Sequence, residues 1–314
     1  MLIITSVSAR STNITKIRLG RGAEELSKSF NERGGIFVFL HIPKTGGSAV
    51  RSWLLDRLSN ETSYLQIDSQ NIDRASSYIG CWKGRGETKT LSDYCEHGTP
   101  NKTIVVYEAH GGPPCLFYKQ LSENLGRWRD VAKKNQVPFF AFTMVREPIS
   151  WYQSFYNYYV RGKRNATETD FFQDPHMKAN MQCAELFGIQ WRKVRPATQV
   201  SFSQCVDALA LLKNQMDWVS TTDTISAELM PLISYLGGFE NRKMGVIRPR
   251  HPSGSSRADE NKLVLSKFSE KGKDLLRNWT EWDASLYEDI RRSYDFNNFL
   301  RDFLDAQGAL HPMA

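Results

Sequence analysis

The stretch Phe37-Val-Phe-Leu-His-Ile-Pro-Lys-Thr-Gly-Gly-Ser-Ala49 decides the fold. It joins an apolar run, Ile36 to Ile42, to a Pro/Gly loop and then to Ser48, after which Val50, Trp53, Leu54 and Leu58 recur at helical spacing. A continuous apolar run of this length suits a buried parallel strand. Glycines let a backbone approach a ligand closely. The amides of Thr45 to Ala49, at the positive end of a helix, can converge on an anion beside the mobile charge of Lys44. Pro43, Lys44, Thr45, Gly46, Gly47, Ser48 and Ala49 are therefore candidate anion-binding residues. In a Walker A loop the lysine follows the glycines, whereas Lys44 precedes Gly46 and Gly47, which disfavours an ordinary NTPase loop. The plainer reading is a tight turn with a surface lysine.

Outward from this unit the pattern repeats. Thr103-Ile-Val-Val-Tyr107 reads as a second strand, ending at Glu108-Ala-His-Gly-Gly112, with a helix expected near 115–129. Pro138 to Val145 reads as a third buried strand. Pro148 then sits in the first turn of a helix lined by Trp151, Tyr152, Phe155, Tyr156 and Tyr159. Helical spacing recurs at 177–188, 203–213, 226–236 and 259–300, while 60–102 is polar and reads as a surface excursion. Strands alternating with helices predict an α/β fold, a single domain with a mostly parallel central sheet flanked by helices. The expected bounds are a polar arm or stem over 1–34, the domain over 35–302 and a tail over 303–314. In such sheets ligands bind at the carboxyl ends of strands, where all three runs carry polar residues.

Two segments carry a family resemblance. His41-Ile-Pro-Lys-Thr-Gly-Gly-Ser48 resembles the 5′-phosphosulfate loop of the Golgi-type carbohydrate sulfotransferases, which use 3′-phosphoadenosine 5′-phosphosulfate (PAPS). Met144-Val-Arg-Glu-Pro-Ile-Ser-Trp-Tyr-Gln-Ser-Phe-Tyr-Asn-Tyr-Tyr159 resembles the 3′-phosphate motif of that family, in which Arg146 and Ser154 would hold the phosphate. A guanidinium suits bidentate phosphate contacts, and a hydroxyl on the following helix can complete the site. Weaker matches follow at Asn180 to Gly188, at Asp217 to Asp223 (similar to a family strand) and at Asp283-Ala-Ser-Leu-Tyr287, so the resemblance spans about residues 36–300. Phe155 to Gly162 is most similar to the heparan and uronyl 2-O-sulfotransferases, whereas the loop is closer to other branches. The resemblance implies a P-loop-like, phosphosulfate-binding strand–loop–helix, PAPS as donor, 3′,5′-adenosine bisphosphate (PAP) as product, and no metal.

Transfer to a hydroxyl needs a base. The resemblance points first to His110, on a His-Gly pair after the second strand, and second to Glu108, since other sulfotransferases use a carboxylate. Along an extended segment residues 108 and 110 share a side. Catalytic roles thus fall to Lys44 and to His110 or Glu108. His41 reads as packing, and no histidine has metal-ligand spacing. Arg242 to Arg277 holds ten Lys/Arg against four Asp/Glu, and with Arg161, Lys163 and Arg164 it offers cations for acceptor carboxylates. Arg161, Lys163, Arg248 and Arg250 are the candidate substrate-binding residues; a solvated basic loop is the plainer reading.

The composition is globular, with 41 Lys+Arg against 34 Asp+Glu and a net charge of +7, which favours anionic partners. No recognition-helix or zinc-finger pattern suggests nucleic acid, and no apolar run is long enough to cross a membrane. Five cysteines without a CxxC leave room for one or two bridges, Cys81–Cys95 being one. Asn13, Asn60, Asn101, Asn165 and Asn278 head Asn-x-Ser/Thr sequons, where chance gives roughly two. Sequons and resemblance together lead to an expected Golgi-lumen location and a glycoprotein, although the relatives are membrane-anchored and this chain starts at Met1 without an anchor. The expected activity is transfer of sulfate from PAPS to a carbohydrate hydroxyl, on a glycosaminoglycan-like or other uronic-acid-containing glycan. The alternatives are a nucleotide kinase or NTPase and a catalytically silent glycan-binding relative.

Overall fold

The structure, a computed structural model, describes residues 20–57, 64–67, 91–110, 117–159, 167–187, 200–238 and 264–293. Five strands form one sheet: β1 (Gly35–His41), β2 (Tyr64–Ile67), β3 (Ile104–His110), β4 (Phe139–Val145) and β5 (Trp218–Thr221). Their order is β2-β3-β1-β4-β5, with β2 a short edge strand, and every pairing is parallel. Parallel neighbours require crossovers, and the helices supply them on both faces.

Alternation along the strands assigns the two layers. Ile36, Val38 and Leu40 point to one face with Val105, Tyr107, Ala109 and Ala141. That face is covered by α3 (Leu91–His97), α4 (Phe117–Lys134), α7 (Met181–Phe187), α8 (Phe202–Gln215) and α11 (Glu281–Ser293). Phe37 and Phe39 point to the other face with Val106, Phe140, Phe142 and Met144. There α1 (Gly20–Arg33), α2 (Gly47–Arg57) and α9 (Met230–Gly237) close the core, Phe39 stacking on Phe142 with ring centroids 4.9 Å apart. A third cluster forms where α5 (Pro148–Tyr159) lays Trp151, Tyr152, Phe155 and Tyr156 against α6 (Glu168–Gln173) and α10 (Glu270–Trp279). Among the described residues no helix is long and apolar enough to cross a membrane.

The α/β, parallel-sheet expectation holds, and β1, β3 and β4 lie where the three apolar runs put them. Four expectations change. Residues 20–33, expected within a polar arm, form α1 and bury Ala23 and Phe30 in the core. The excursion over 60–102 contains β2 and α3, whose Leu91, Tyr94 and Cys95 are buried. The helical pattern over 259–300 divides into α10 and α11 at Thr280, whose hydroxyl returns to the Leu276 carbonyl at 3.0 Å. Among the described residues the bridge is Cys183–Cys205, tying α7 to α8 with Cα atoms 5.0 Å apart, while Cys95 is a buried free thiol. Residues 1–19 and the tail expected over 303–314 lie outside the described residues.

Candidate functional site

The chain leaves β1 through α2 toward the β3 side of the sheet, and leaves β4 through α5 toward the β5 side. Connections that diverge from adjacent parallel strands open a crevice at their carboxyl ends, where ligands of such folds bind. The two segments singled out in the sequence flank this crevice. Residues 42–46 follow β1, and Arg146 follows β4.

Partners on the far side hold the turn after β1. Trp151 donates Nε1–H to the Pro43 carbonyl at 2.7 Å, Arg146 donates from its guanidinium to the Lys44 carbonyl at 3.1 Å, and Thr222 donates its hydroxyl to the Thr45 carbonyl at 3.2 Å. Across a planar trans peptide the next N–H points the opposite way, so the Lys44 and Gly46 amides face away from these donors. Lys44 takes φ 66° and Gly46 φ 92°, a left-handed pair that only glycine adopts without strain; strain at a non-glycine residue is typical of ligand clamps. The set of amides is smaller than expected. Thr45 N–H donates to the Ile42 carbonyl at 3.4 Å and Ala49 N–H to the Gly46 carbonyl at 2.9 Å, so both are used inside the turn. Gly47 and Ser48 open α2, where an N–H has no acceptor one turn back. The Lys44 ammonium lies 3.8 Å from the ring centroid of the exposed Tyr158.

Arg146 is half-buried, and its backbone is clamped by Gln182: Arg146 N–H donates to Gln182 Oε1 at 3.0 Å, and Gln182 Nε2 donates to the Arg146 carbonyl at 2.8 Å. Burial lowers the guanidinium from its ordinary range while Asp223 and Glu147 oppose the shift; it stays cationic at any physiological pH. Ser154 is half-buried on α5.

Glu108 does not have the character of a base. It is wholly buried on β3 and takes two hydrogen bonds from the Arg51 guanidinium, Nε reaching Oε2 at 2.6 Å and an NH2 group reaching Oε1. His41 Nδ1 lies 2.5 Å from Oε1. Burial alone would push this carboxyl up, but the hydrogen bonds from His41 and Arg51 outweigh it and hold it at about 2. Burial lowers the His41 imidazole further than Glu108 raises it. The cluster therefore reads as a carboxylate with Arg51 as its counter-charge and a neutral His41 donating Nδ1–H. The His41 ring stacks on Phe39 and fills the space beside Gly47, where an added Cβ would come within 2.1 Å of the imidazole. His110 ends β3 as the register partner of His41, and its side chain lies outside what the structure describes.

The structure thus brings Lys44, the α2 N-terminus and Arg146 to one crevice, with Glu108 buried beneath it. Arg161, Lys163, Arg248 and Arg250 lie outside the described residues. Arg51, Gln182 and Tyr158 were not singled out by sequence. Arg51 follows Val50 on a helix read only for its apolar face, and Gln182 meets Arg146 from 36 residues away. Cys183, Cys205 and Asp283 bring three residues of metal-ligand type together, but the sulfurs are bonded to each other and the Asp283 oxygens accept the Gln182 and Cys183 amides. No protein-family model matches the chain, and no curated protein matches it.

Proposed function

We propose that the chain is a sulfotransferase moving a sulfuryl group from PAPS to a hydroxyl of a carbohydrate, on a glycan containing uronic acid. The observation that carries this reading is the Arg146–Lys44 hydrogen bond, which joins at one crevice the two segments that the resemblance gives to the 3′-phosphate and the 5′-phosphosulfate. Two cations at a helix N-terminus form a donor set suited to a doubly phosphorylated nucleotide. PAPS supplies the activated sulfuryl group and leaves as PAP.

In this reading Lys44 and the first amides of α2 hold the 5′ end and offset charge developing on the leaving oxygen, much as in phosphoryl transfer. Arg146 and Ser154 hold the 3′-phosphate. His110, carried by β3 to the same rim, takes the proton of the acceptor hydroxyl. Glu108, already engaged by Arg51, instead fixes α2 beneath the turn. Arg161, Lys163, Arg248 and Arg250 would meet acceptor carboxylates, and the Golgi lumen would be the compartment, to which a buried disulfide is suited.

The test is transfer of labelled sulfate from PAPS to a panel of uronic-acid glycans, with Lys44→Ala alongside. The reading expects transfer, and a fall in turnover for the variant far larger than its loss of PAP affinity. Folded protein that transfers no label to any glycan, or a Lys44→Ala variant with full turnover, contradicts it.

A further inference from the structure

Gln182 is fully buried and commits both ends of its side-chain amide to the backbone of a single residue, Arg146. That residue stands just past the last residue of β4, where the sheet ladder has ended. The two hydrogen bonds take over from the ladder there. They orient both peptide groups flanking the Arg146 Cα, and with them the direction in which its side chain leaves the strand.

The clamp is itself firmly mounted. Asp283 accepts the Gln182 amide at 3.1 Å and the Cys183 amide at 2.8 Å. Asn180 Oδ1 accepts the Trp282 and Asp283 amides at 2.9 and 3.1 Å. Tyr152 of α5 accepts the Met181 amide at 3.0 Å, and Cys183–Cys205 fixes the same turn to α8. A continuous polar chain therefore runs from the α10–α11 junction through Gln182 to Arg146, and from the Arg146 guanidinium to the carbonyl of Lys44.

We propose that Gln182 is a positioning residue that acts through Arg146, holding its guanidinium at the setting from which it meets the 3′-phosphate of the nucleotide while bracing the Lys44 turn. The proposal rests on the sulfotransferase reading. Losing a hydrogen bond to a charged group typically weakens binding by about 10- to 100-fold, and removing the clamp should weaken PAP binding by that much.

The experiment measures PAP affinity by titration calorimetry for the full chain, for Arg146→Ala, for Gln182→Met, which keeps the side chain's length without its hydrogen bonds, and for the double variant. The expected result is a loss for each single variant and no further loss for Gln182→Met in the Arg146→Ala background. Equal losses from Gln182→Met in both backgrounds would make it a general packing residue and overturn the proposal. Unchanged affinity in Gln182→Met with weakened binding in Arg146→Ala would overturn the proposal alone. Unchanged affinity in Arg146→Ala would overturn the nucleotide reading beneath it. Should Gln182→Met not fold, hydrogen exchange at the Arg146 amide of the unaltered protein decides. Strong protection before PAP is added supports a preset clamp, and protection appearing only with PAP overturns it.

Discussion

Glu185 offers a test of the interior that is independent of function. It lies one turn beyond Gln182 on α7, buried, and its Oε1 atom has no hydrogen-bond partner. Burial alone pushes its carboxyl up from 4.5 to about 8. The folded protein therefore holds the Glu185 proton more tightly than the unfolded chain does. The stability this contributes is fully present below pH ~4.5 and is lost as pH rises through ~8. At ~1.4 kcal/mol per pH unit, the whole displacement corresponds to ~5 kcal/mol, of which ~4 falls between pH 5 and 9. Glu185→Gln removes the titration and keeps the shape. Urea unfolding of both proteins at pH 5, 7 and 9 gives the comparison, and the variant's advantage over the unaltered protein should widen with pH toward ~4 kcal/mol. Asp283, pushed up by burial to about 7, titrates in the same window in both proteins and cancels in the difference. A difference that stays constant from pH 5 to pH 9 would refute the unpartnered, desolvated carboxyl.

Three further outcomes follow from the site. Glu108→Gln strips the counter-charge from Arg51 in a buried pair and should cost about 3–5 kcal/mol, measured by thermal melting at pH 7. In the unaltered protein this carboxylate's contribution is present above pH ~4.5 and lost as pH falls toward 2, so the cost of the substitution should shrink on acidification. A variant of unchanged stability that has lost all turnover would restore Glu108 as the base. Gly47→Ala places a Cβ 2.1 Å from an imidazole that Glu108 and Phe39 hold in place, and should destabilise by about 2 kcal/mol or more; an unchanged melting temperature would show that His41 moves aside freely. Replacing both Cys183 and Cys205 by serine opens a bridge across 22 residues and should cost about 3 kcal/mol of unfolding free energy, and equal stability with and without the bridge would contradict that figure.

The parts of the fold legible in the sequence are those where burial on both faces leaves no polar interruption. β1 and β4 are such runs, and their odd and even residues divide between the two cores. β2 was hidden because Tyr64-Leu-Gln-Ile67 is a four-residue edge strand within a polar stretch, too short to show a period. In α1 the buried Ala23 and Phe30 stand at helical spacing, yet the polar and basic residues around them made the segment read as an arm. Lys44 was legible because a lysine in a glycine loop is locally unusual, and Arg146 because an arginine after a strand, common by itself, stands in a segment with a family resemblance. The character of Glu108 was not, since it depends on Arg51 arriving from another element. Gln182 lay within the weaker match at Asn180 to Gly188 but was not singled out there, because its partner is the backbone of a residue 36 positions away.

The most direct measurement is the shift in melting temperature of the full chain with PAP, with ADP and Mg²⁺ as the control. At ~100 times Kd, linkage gives about 2.7 kcal/mol of stabilisation, a rise of several degrees for a chain this size. The account predicts that rise with PAP and none with ADP. Stabilisation by ADP alone would contradict it in favour of an NTPase, and folded protein that responds to neither would leave a glycan-binding module in place of the enzyme.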